Sequence, residues 1–173
     1  MTFRAVVFDL DGTLLDTLED ITQAANDVLA GLGLPAHPTG AYRPYDVPAP
    51  LDEMAARGLG LAVLSNKPDG FTRPCAAAYL ARRPFGAVLG QRKGMPLKPD
   101  PDGAREMAER LAVPVERFLD VGDTAVDMEM ARRAGMSPVG VVWGFRPAEE
   151  LRSGGAAAII ERPADLLELL DGE

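Results

Sequence analysis

The chain has 173 residues, of which 47% are hydrophobic and 25% are charged, and its formal net charge is −8. This composition is ordinary for a globular protein, and the length is sufficient for one domain with a buried core. The acidic balance argues against a nucleic-acid partner, because nucleic acid binding requires clustered Lys and Arg. A negatively charged substrate would have to be attracted locally, by a metal ion or by a few placed cations.

Rare residues and hydropathy exclude further classes of protein. The single cysteine, Cys75, cannot form an internal disulfide and fits a reducing compartment. No stretch approaches the ~18 apolar residues of a membrane span, and the N-terminus lacks a signal-peptide profile, so we expect a cytoplasmic protein without a membrane partner. The only histidine, His37, lies in a proline-rich segment. A histidine triad or a multi-histidine zinc site is therefore excluded within one chain.

The first predicted strand ends in two carboxylates. Residues 5–8, AVVF, form an apolar run without polar alternation, which is typical of a strand buried on both faces. Asp9 and Asp11 follow, and alternation along an extended chain sends both side chains to the same side. Gly12 then allows the backbone to turn. Because two close acids repel each other, the pair indicates a shared cation or proton, although a surface turn has the same residues.

The next segment predicts one amphipathic helix and an irregular connector. Apolar residues recur at helical spacing from Ile21 to Leu32, and Asp16 or Thr17 can cap the helix that they predict. Residues 34–50 contain five prolines and therefore predict a connector without regular structure.

The remaining chain alternates between predicted strands and helices. This alternation favours an α/β fold with a doubly wound, mostly parallel sheet. The predicted strands cover residues 60–65, 85–89, 117–121, 138–142 and 156–160, and the predicted helices cover residues 51–57, 69–81, 102–111, 125–134, 147–151 and 164–170.

Polar clusters follow several of these strands. In parallel sheets, the carboxyl ends of the strands meet at one edge, so we expect the clusters to share one crevice. Carboxylates there suit Mg2+, a lysine can neutralise a phosphoryl group, and a serine with the backbone N–H groups after it can hold phosphate oxygens. The clusters are Asp9 and Asp11, Ser65 and Asn66, Lys98, and Asp123 and Asp127.

Each of these residues also has a purely structural interpretation. Ser65 could simply end a strand, and Lys98 could be a solvated loop residue, with Arg92 and Lys93 as alternative cations close by. Asp127 could compensate the dipole of the helix that it begins.

Other residues have structural interpretations as well. Asp120 is either a polar strand-end residue or an additional carboxylate of the site. Trp143 and Phe145 are interpreted as packing and rim residues, and Cys75 as part of the core.

In this order, the polar clusters resemble the four motifs of the haloacid dehalogenase superfamily. Asp9-Leu-Asp11-Gly-Thr13 is similar to the first motif, Ser65 to the second, Lys98 to the third, and Gly122-Asp123-Thr-Ala-Val-Asp127 to the fourth. The segments DGTLLDT, LSNKP and VVWGF are most similar to its phosphoglycolate-phosphatase branch. The resemblance implies a Mg2+-dependent phosphomonoester hydrolase that acts on a small phosphorylated metabolite.

The resemblance also implies a role for each matched residue. Asp9 would attack phosphorus and form an aspartyl-phosphate, and Asp11 would act as general acid and then as general base, protonated early in the cycle because carboxylates crowd it. Ser65 and Lys98 would assist this chemistry. Substrate would be bound by Gly12, Thr13, Ser65, Asn66 and Lys98. Mg2+ would be held by Asp9, the backbone carbonyl of Asp11, and Asp123, with Asp127 behind.

The chain departs from this branch in one respect. The branch carries a helical cap after the first motif, whereas here residues 17–47 leave room for one helix and a linker, so we expect a single core domain over residues 1–173. Water exclusion and substrate selection should then be weak. The apolar face of the helix must pack on the core or on a second subunit, which makes a homodimer possible.

Three alternatives to a small-molecule phosphatase stay open. An open site could admit a bulky or protein-borne phosphate. The chain could instead be a phospho-acceptor module, although such modules place the acceptor Asp at the end of a middle strand, where this chain has Ser65. It could also be a binding protein that turns over poorly.

Overall fold

The computed structural model describes residues 2–36, 45, 47–80 and 83–171, without the side chains of Asp20, Ala24, Ala25 and Pro48. The strands are β1 (Ala5–Phe8), β2 (Gly60–Pro68), β3 (Phe85–Gln91), β4 (Phe118–Gly122), β5 (Ser137–Val141) and β6 (Ala158–Ile160). The helices are α1 (Leu18–Gly31), α2 (Pro48–Ala56), α3 (Asp69–Tyr79), α4 (Asp102–Leu111), α5 (Ala125–Ala134), α6 (Ala148–Gly154) and α7 (Asp165–Asp171). His37 and most of the predicted connector lie outside the described residues.

The six described strands form one parallel sheet in the order β3-β2-β1-β4-β5-β6. The predicted α/β, doubly wound fold is confirmed, and every described pairing is parallel. In this order the chain crosses from one half of the sheet to the other between β1 and β4. In open α/β sheets, ligands bind at such a switch point, beyond the carboxyl ends of the strands.

The first strand is buried on both faces, as its unbroken apolar sequence predicts. Val6 and Phe8 belong to the hydrophobic cluster on one face of the sheet, and Ala5 and Val7 belong to the cluster on the other face. All four residues are at most 1% exposed. The acidic pair that follows is therefore attached to one of the most firmly packed segments of the fold.

Several element boundaries differ from the prediction. Helix α2 begins at Pro48 instead of residue 51, since a proline in the first turn needs no N–H partner. Strand β2 continues through Pro68, which pairs with Gln91 across an irregular register. Helix α6 begins at Ala148, and Pro147 is its N-cap instead of its first residue. Helices α4 and α5 have the predicted bounds.

The large apolar residues at the two ends of the predicted stripe of α1 lie on the surface. Ile21, Val28 and Leu32 are 47%, 64% and 69% exposed. The helix forms as predicted, and the Asp16 carboxylate accepts a hydrogen bond from the N–H of Leu18, while Thr17 makes no side-chain cap. That residues 17–47 are a remnant cap stays a prediction. Within the described ranges, no helix combines the length and apolarity needed to cross a membrane.

Candidate active site

The sheet register places the first and last acidic motifs side by side. Asp9 directly follows β1, and its backbone N–H donates to the carbonyl of Val121 in β4, with an N···O distance of 2.9 Å. Asp123 directly follows β4, two residues after Val121. The two carboxylates therefore meet at the crossover between the halves of the sheet, as the sequence predicts.

Lys98 connects two of the predicted carboxylates. Its Nζ donates to Oδ1 of Asp9 and to Oδ1 of Asp127, at 2.9 Å each. The Lys98 side chain is 5% exposed. The alternative cations lie elsewhere, because Arg92 pairs with Glu106 and Lys93 is exposed. Lys98 is thus the cation that the fold brings to Asp9.

Asn66 fixes the loop that carries Lys98. The backbone N–H of Lys98 donates to Oδ1 of Asn66 at 2.8 Å, and Nδ2 of Asn66 donates to the Lys98 carbonyl at 3.3 Å. The Asn66 side chain is therefore engaged with protein, and its part in substrate binding stays a prediction. The neighbouring Ser65 is 5% exposed, and its Oγ accepts from the N–H of Lys67 at 3.2 Å.

Asp127 is held by a capping box at the start of α5. Its Oδ2 accepts from the Thr124 hydroxyl at 2.6 Å and from the Thr124 N–H at 3.1 Å. The Thr124 Oγ accepts in turn from the Asp127 N–H at 3.4 Å. This box leaves Oδ1 to face Lys98, so Asp127 does more than compensate a helix dipole. Sequence reasoning missed Thr124, although a threonine three residues before an acid is the pattern of such a box.

Asp123 is clamped by backbone groups. The N–H of Phe145 donates to its Oδ2 at 2.8 Å. A Cβ on Gly12, whose φ is +84°, would lie 2.4 Å from the same Oδ2, and a Cβ on Gly144 would lie 2.4 Å from the Asp123 Cβ. Only glycine fits at either place. The remaining oxygen, Oδ1, is buried without a hydrogen-bond partner among the described residues.

The segment after β5 is part of the site and not merely its rim. Besides the N–H that Phe145 donates to Asp123, the indole N–H of Trp143 donates to the carbonyl of Thr13 at 3.0 Å. The segment thereby ties the first motif to the fourth. The sequence analysis interpreted both aromatic residues as packing and rim residues. The Phe145 donor is a backbone group, which leaves no trace in the residue type, and the Trp143 indole could have found many partners.

Three carboxylates could share a cation. Asp9, Asp123 and Asp127 each offer an oxygen, and these atoms lie within 4.8 Å of one another. Burial raises the pKa of Asp9 to about 7, against the attraction of Lys98, and burial raises the pKa of Asp123 to about 6. A hard, oxygen-binding cation such as Mg2+ fits this donor set and the unpartnered oxygen of Asp123. Because both oxygens of Asp127 are engaged, Asp9 and Asp123 are the direct ligands that the geometry favours.

The side chain of Asp11 lies in a different environment. It is not among these three carboxylates, and its Oδ1 accepts from Nζ of Lys67 at 2.8 Å. The expected crowd of carboxylates around Asp11 is therefore wrong, because a lysine occupies that side. Sequence reasoning missed Lys67, although it stands two residues after Ser65, on the same side of an extended strand.

Lys98 and Asp120 are buried titratable groups whose pKa values are both raised. Burial disfavours the ammonium of Lys98, but the carboxylates of Asp127 and Asp9 outweigh it and raise its pKa. Asp120 lies in the middle of β4, opposite Val7 in the register, and is 1% exposed. The strand-end interpretation of Asp120 is therefore wrong. Burial raises its pKa well above the usual range, and its Oδ2 has no hydrogen-bond partner in the described part of the chain.

Comparison with known proteins agrees with this geometry. The chain is 27% identical to a phosphoglycolate phosphatase of Aquifex aeolicus, over 209 aligned positions that cover 97% of each protein. It is 28% identical to the N-acetylmuramic acid 6-phosphate phosphatase of Pseudomonas aeruginosa, over 99% of this chain and 96% of that protein. Both alignments are longer than this chain, so both relatives contain residues within the matched region that it lacks, which agrees with a shortened cap.

Solved structures share the fold of this chain. A crystal structure of a putative phosphoglycolate phosphatase from Lactobacillus delbrueckii superposes with a TM-score of 0.91 at 23% identity and covers 100% of both chains. A family model described as haloacid dehalogenase-like hydrolase matches residues 44–135, which is more than half of the sequence. The chain therefore belongs to the haloacid dehalogenase-like hydrolase family.

Proposed function

We propose that this protein is a Mg2+-dependent phosphomonoester hydrolase that works through an aspartyl-phosphate on Asp9. The observation that carries the proposal is the buried ammonium of Lys98, held 2.9 Å from both Asp9 and Asp127 beside Asp123. The ammonium favours the charged form of Asp9 and orients its carboxylate at a place where a phosphoryl group can be neutralised. Ion pairs without a catalytic role are common on protein surfaces, whereas this ion pair is buried at the carboxyl ends of the strands.

The first chemical step uses Asp9 and Asp11. A carboxylate oxygen of Asp9 attacks phosphorus, the bond between phosphorus and the ester oxygen breaks, and Asp11 gives its proton to the departing oxygen. Lys98 favours the charged form of Asp9, which would otherwise bind a proton because of burial. The Ser65 hydroxyl, the backbone N–H groups after it, and the turn at Gly12 and Thr13 hold the phosphoryl oxygens.

The second step reverses the role of Asp11. Its carboxylate takes a proton from water, the resulting hydroxide attacks phosphorus, and the bond between phosphorus and Asp9 breaks. Inorganic phosphate leaves, and both aspartates return to their starting forms. Lys98 stabilises Asp9 as a leaving carboxylate.

Asp9 and Asp123 would hold Mg2+, together with the backbone carbonyl of Asp11, and Asp127 would lie behind them. The bound ion supplies positive charge that neutralises the phosphoryl oxygens and orients them. The unpartnered Oδ1 of Asp123 and the raised pKa of Asp9 support this site.

The substrate class is a small phosphorylated metabolite. The two relatives are named for different substrates, phosphoglycolate and N-acetylmuramic acid 6-phosphate, so their names support the class and do not choose between its members. The cytoplasm is the location that fits a single, unpaired cysteine.

Hydrolysis of p-nitrophenyl phosphate with and without Mg2+ tests the proposal. We expect turnover to require Mg2+ and to fall at least ~1,000-fold in Asp9→Asn, since this variant keeps the shape but loses the nucleophile. Asp52→Asn is the matched control, because Asp52 is an exposed aspartate on α2 whose contact is with Arg83. A wild-type rate that Asp9→Asn leaves intact would contradict the proposal.

The same preparations separate the alternatives. A long-lived acyl-phosphate without turnover would indicate a phospho-acceptor module. Turnover of phosphopeptides but not of small phosphate esters would indicate an open site for protein-borne phosphate. If neither an acyl-phosphate nor turnover of any phosphate ester is observed, the chain is a binding protein.

A further inference from the structure

We propose that Lys67 is the residue by which this site selects its substrate, and that it binds a carboxylate or second phosphate located next to the phosphoester. The inference rests on the proposed function and extends it to a substrate class. In the described structure, Nζ of Lys67 donates to Oδ1 of Asp11 at 2.8 Å. The side chains of Lys67 and Asp11 are 20% and 19% exposed.

The two lysines of the site differ in what they can do. Lys98 is 5% exposed and lies between two carboxylates, so it is committed to Asp9 and Asp127. Lys67 is four times as exposed and has one carboxylate partner among the described residues. It therefore can exchange that partner for a ligand that enters from solvent, whereas Lys98 cannot without leaving two buried charges unpaired.

The backbone of Lys67 is fixed, although its ammonium is exchangeable. Its N–H donates to Oγ of Ser65, and its carbonyl accepts from the Thr72 hydroxyl at 2.9 Å. Thr72 is fully buried. The flexible lysine stem thus extends from a rigid base beside the phosphate-binding residues, which limits the region that the ammonium can reach.

Asp11 defines where that region lies relative to substrate. To transfer its proton, Asp11 must reach the ester oxygen at hydrogen-bond distance, and Lys67 is one hydrogen bond away from Asp11. The ammonium is then within about 6 Å of the ester oxygen, which is two hydrogen-bond lengths. A carboxylate on the carbon that bears the ester oxygen falls inside this distance, whereas an anion at the far end of a long substrate does not.

An anionic substrate would also free Asp11. When Lys67 moves to the substrate's anion, Oδ1 of Asp11 loses its protein partner and can meet the ester oxygen. A neutral ester offers Lys67 no replacement, so the ion pair with Asp11 persists and competes with catalysis. The core itself thereby provides selectivity that a cap provides in longer relatives.

The test compares two esters in wild type and Lys67→Met. The esters are 2-phosphoglycolate and its uncharged amide, 2-phosphoglycolamide, which differ in the charge beside the ester. We expect wild type to favour the acid in kcat/KM, and Lys67→Met to lower the ratio between acid and amide about 10- to 100-fold, the usual effect of a charged hydrogen bond. Lys67→Arg should keep most of the preference.

Lys93→Met is the matched control, because Lys93 is an exposed lysine outside the site and its loss should leave the ratio unchanged. An equal loss on both esters in Lys67→Met, or a wild type without preference for the acid, would overturn the inference. Calorimetry measures binding of 2-phosphoglycolate and of the amide without requiring hydrolysis. It therefore tests the role of Lys67 independently of the proposed function. If wild type binds the acid more tightly and Lys67→Met abolishes that difference while no ester is hydrolysed, the proposed function fails and the role of Lys67 stands.

Discussion

The carboxyl edge of the sheet and helix α1 differ in how their side chains are satisfied. At the carboxyl edge of the sheet, Asp9, Lys98 and Asp127 are nearly buried, and the lysine pairs with both carboxylates. On α1, Val28 and Leu32 are apolar and more than half exposed. The first region pairs these charges within one chain, whereas the second presents an apolar surface for which the described residues provide no cover.

This difference predicts that the polar site and the exposed face of α1 can be changed independently. The polar network depends on strands and loops of the sheet, none of which requires α1. Substitutions at the sheet edge should therefore abolish activity, and substitutions on α1 should change association without changing catalysis.

Gly12→Ala should remove activity through Asp123. A Cβ at residue 12 would lie 2.4 Å from Asp123 Oδ2 and 2.9 Å from the Phe145 ring. The carboxylate must move, and displacement of a catalytic group by about 1 Å can cost ~100-fold in rate. We expect kcat/KM for p-nitrophenyl phosphate to fall at least ~100-fold, with weaker Mg2+ affinity measured by calorimetry.

Gly94→Ala is the control for backbone strain. Gly94 has the same φ of +84°, but no atom lies within 4 Å of a Cβ built there. Both variants should lose about 1–2 kcal/mol of stability from the left-handed backbone, whereas only Gly12→Ala should lose activity. Equal activity in the two variants would show that Asp123 is not held by this close approach.

How much of this contrast the sequence could predict depends on the kind of contact. Buried apolar runs and acids in register predicted β1, the parallel sheet and the meeting of Asp9, Asp123 and Lys98, because periodicity and residue type carry that information. The N–H that Phe145 donates to Asp123 could not be predicted, since every residue except proline has one. The partner of Asp11 could not be predicted either. The sequence places Lys67 close to Ser65, but it does not show which carboxylate the long lysine side chain reaches.

Asp120 gives a smaller effect, on stability. Burial raises its pKa well above the unfolded value, so the folded protein holds a proton there that the unfolded chain releases above about pH 4. Since the folded state binds more protons, stability falls as pH rises from about 4 toward the folded pKa, by up to about 1.4 kcal/mol per pH unit. Asp120→Asn mimics the neutral carboxyl, and its stability relative to wild type should therefore increase with pH.

Chemical denaturation at pH 4, 6 and 8 measures this difference. Glu109→Gln is a suitable control, because Glu109 is an exposed acid on α4 and its loss should not change the slope. A constant difference between Asp120→Asn and wild type across this range would show that Asp120 is charged in the folded protein.

The smallest effect on catalysis should come from α1. Leu18, Ile21, Val28 and Leu32 are all 47% or more exposed, and a contiguous apolar face of this kind is rarely left in water. We expect a second copy of the chain to cover it, since the segment present in longer relatives is missing here.

Sedimentation of wild type should show a dimer, and the double variant Val28→Lys, Leu32→Lys should be monomeric, because four lysines would then face one another. Stability should change by no more than about 0.5 kcal/mol, and kcat by less than about twofold, since both positions are exposed and outside the polar network. Tyr79→Lys, at an exposed aromatic residue on α3, should leave the dimer intact. A wild-type protein that stays monomeric at high concentration would contradict the expectation that a second copy of the chain covers this face.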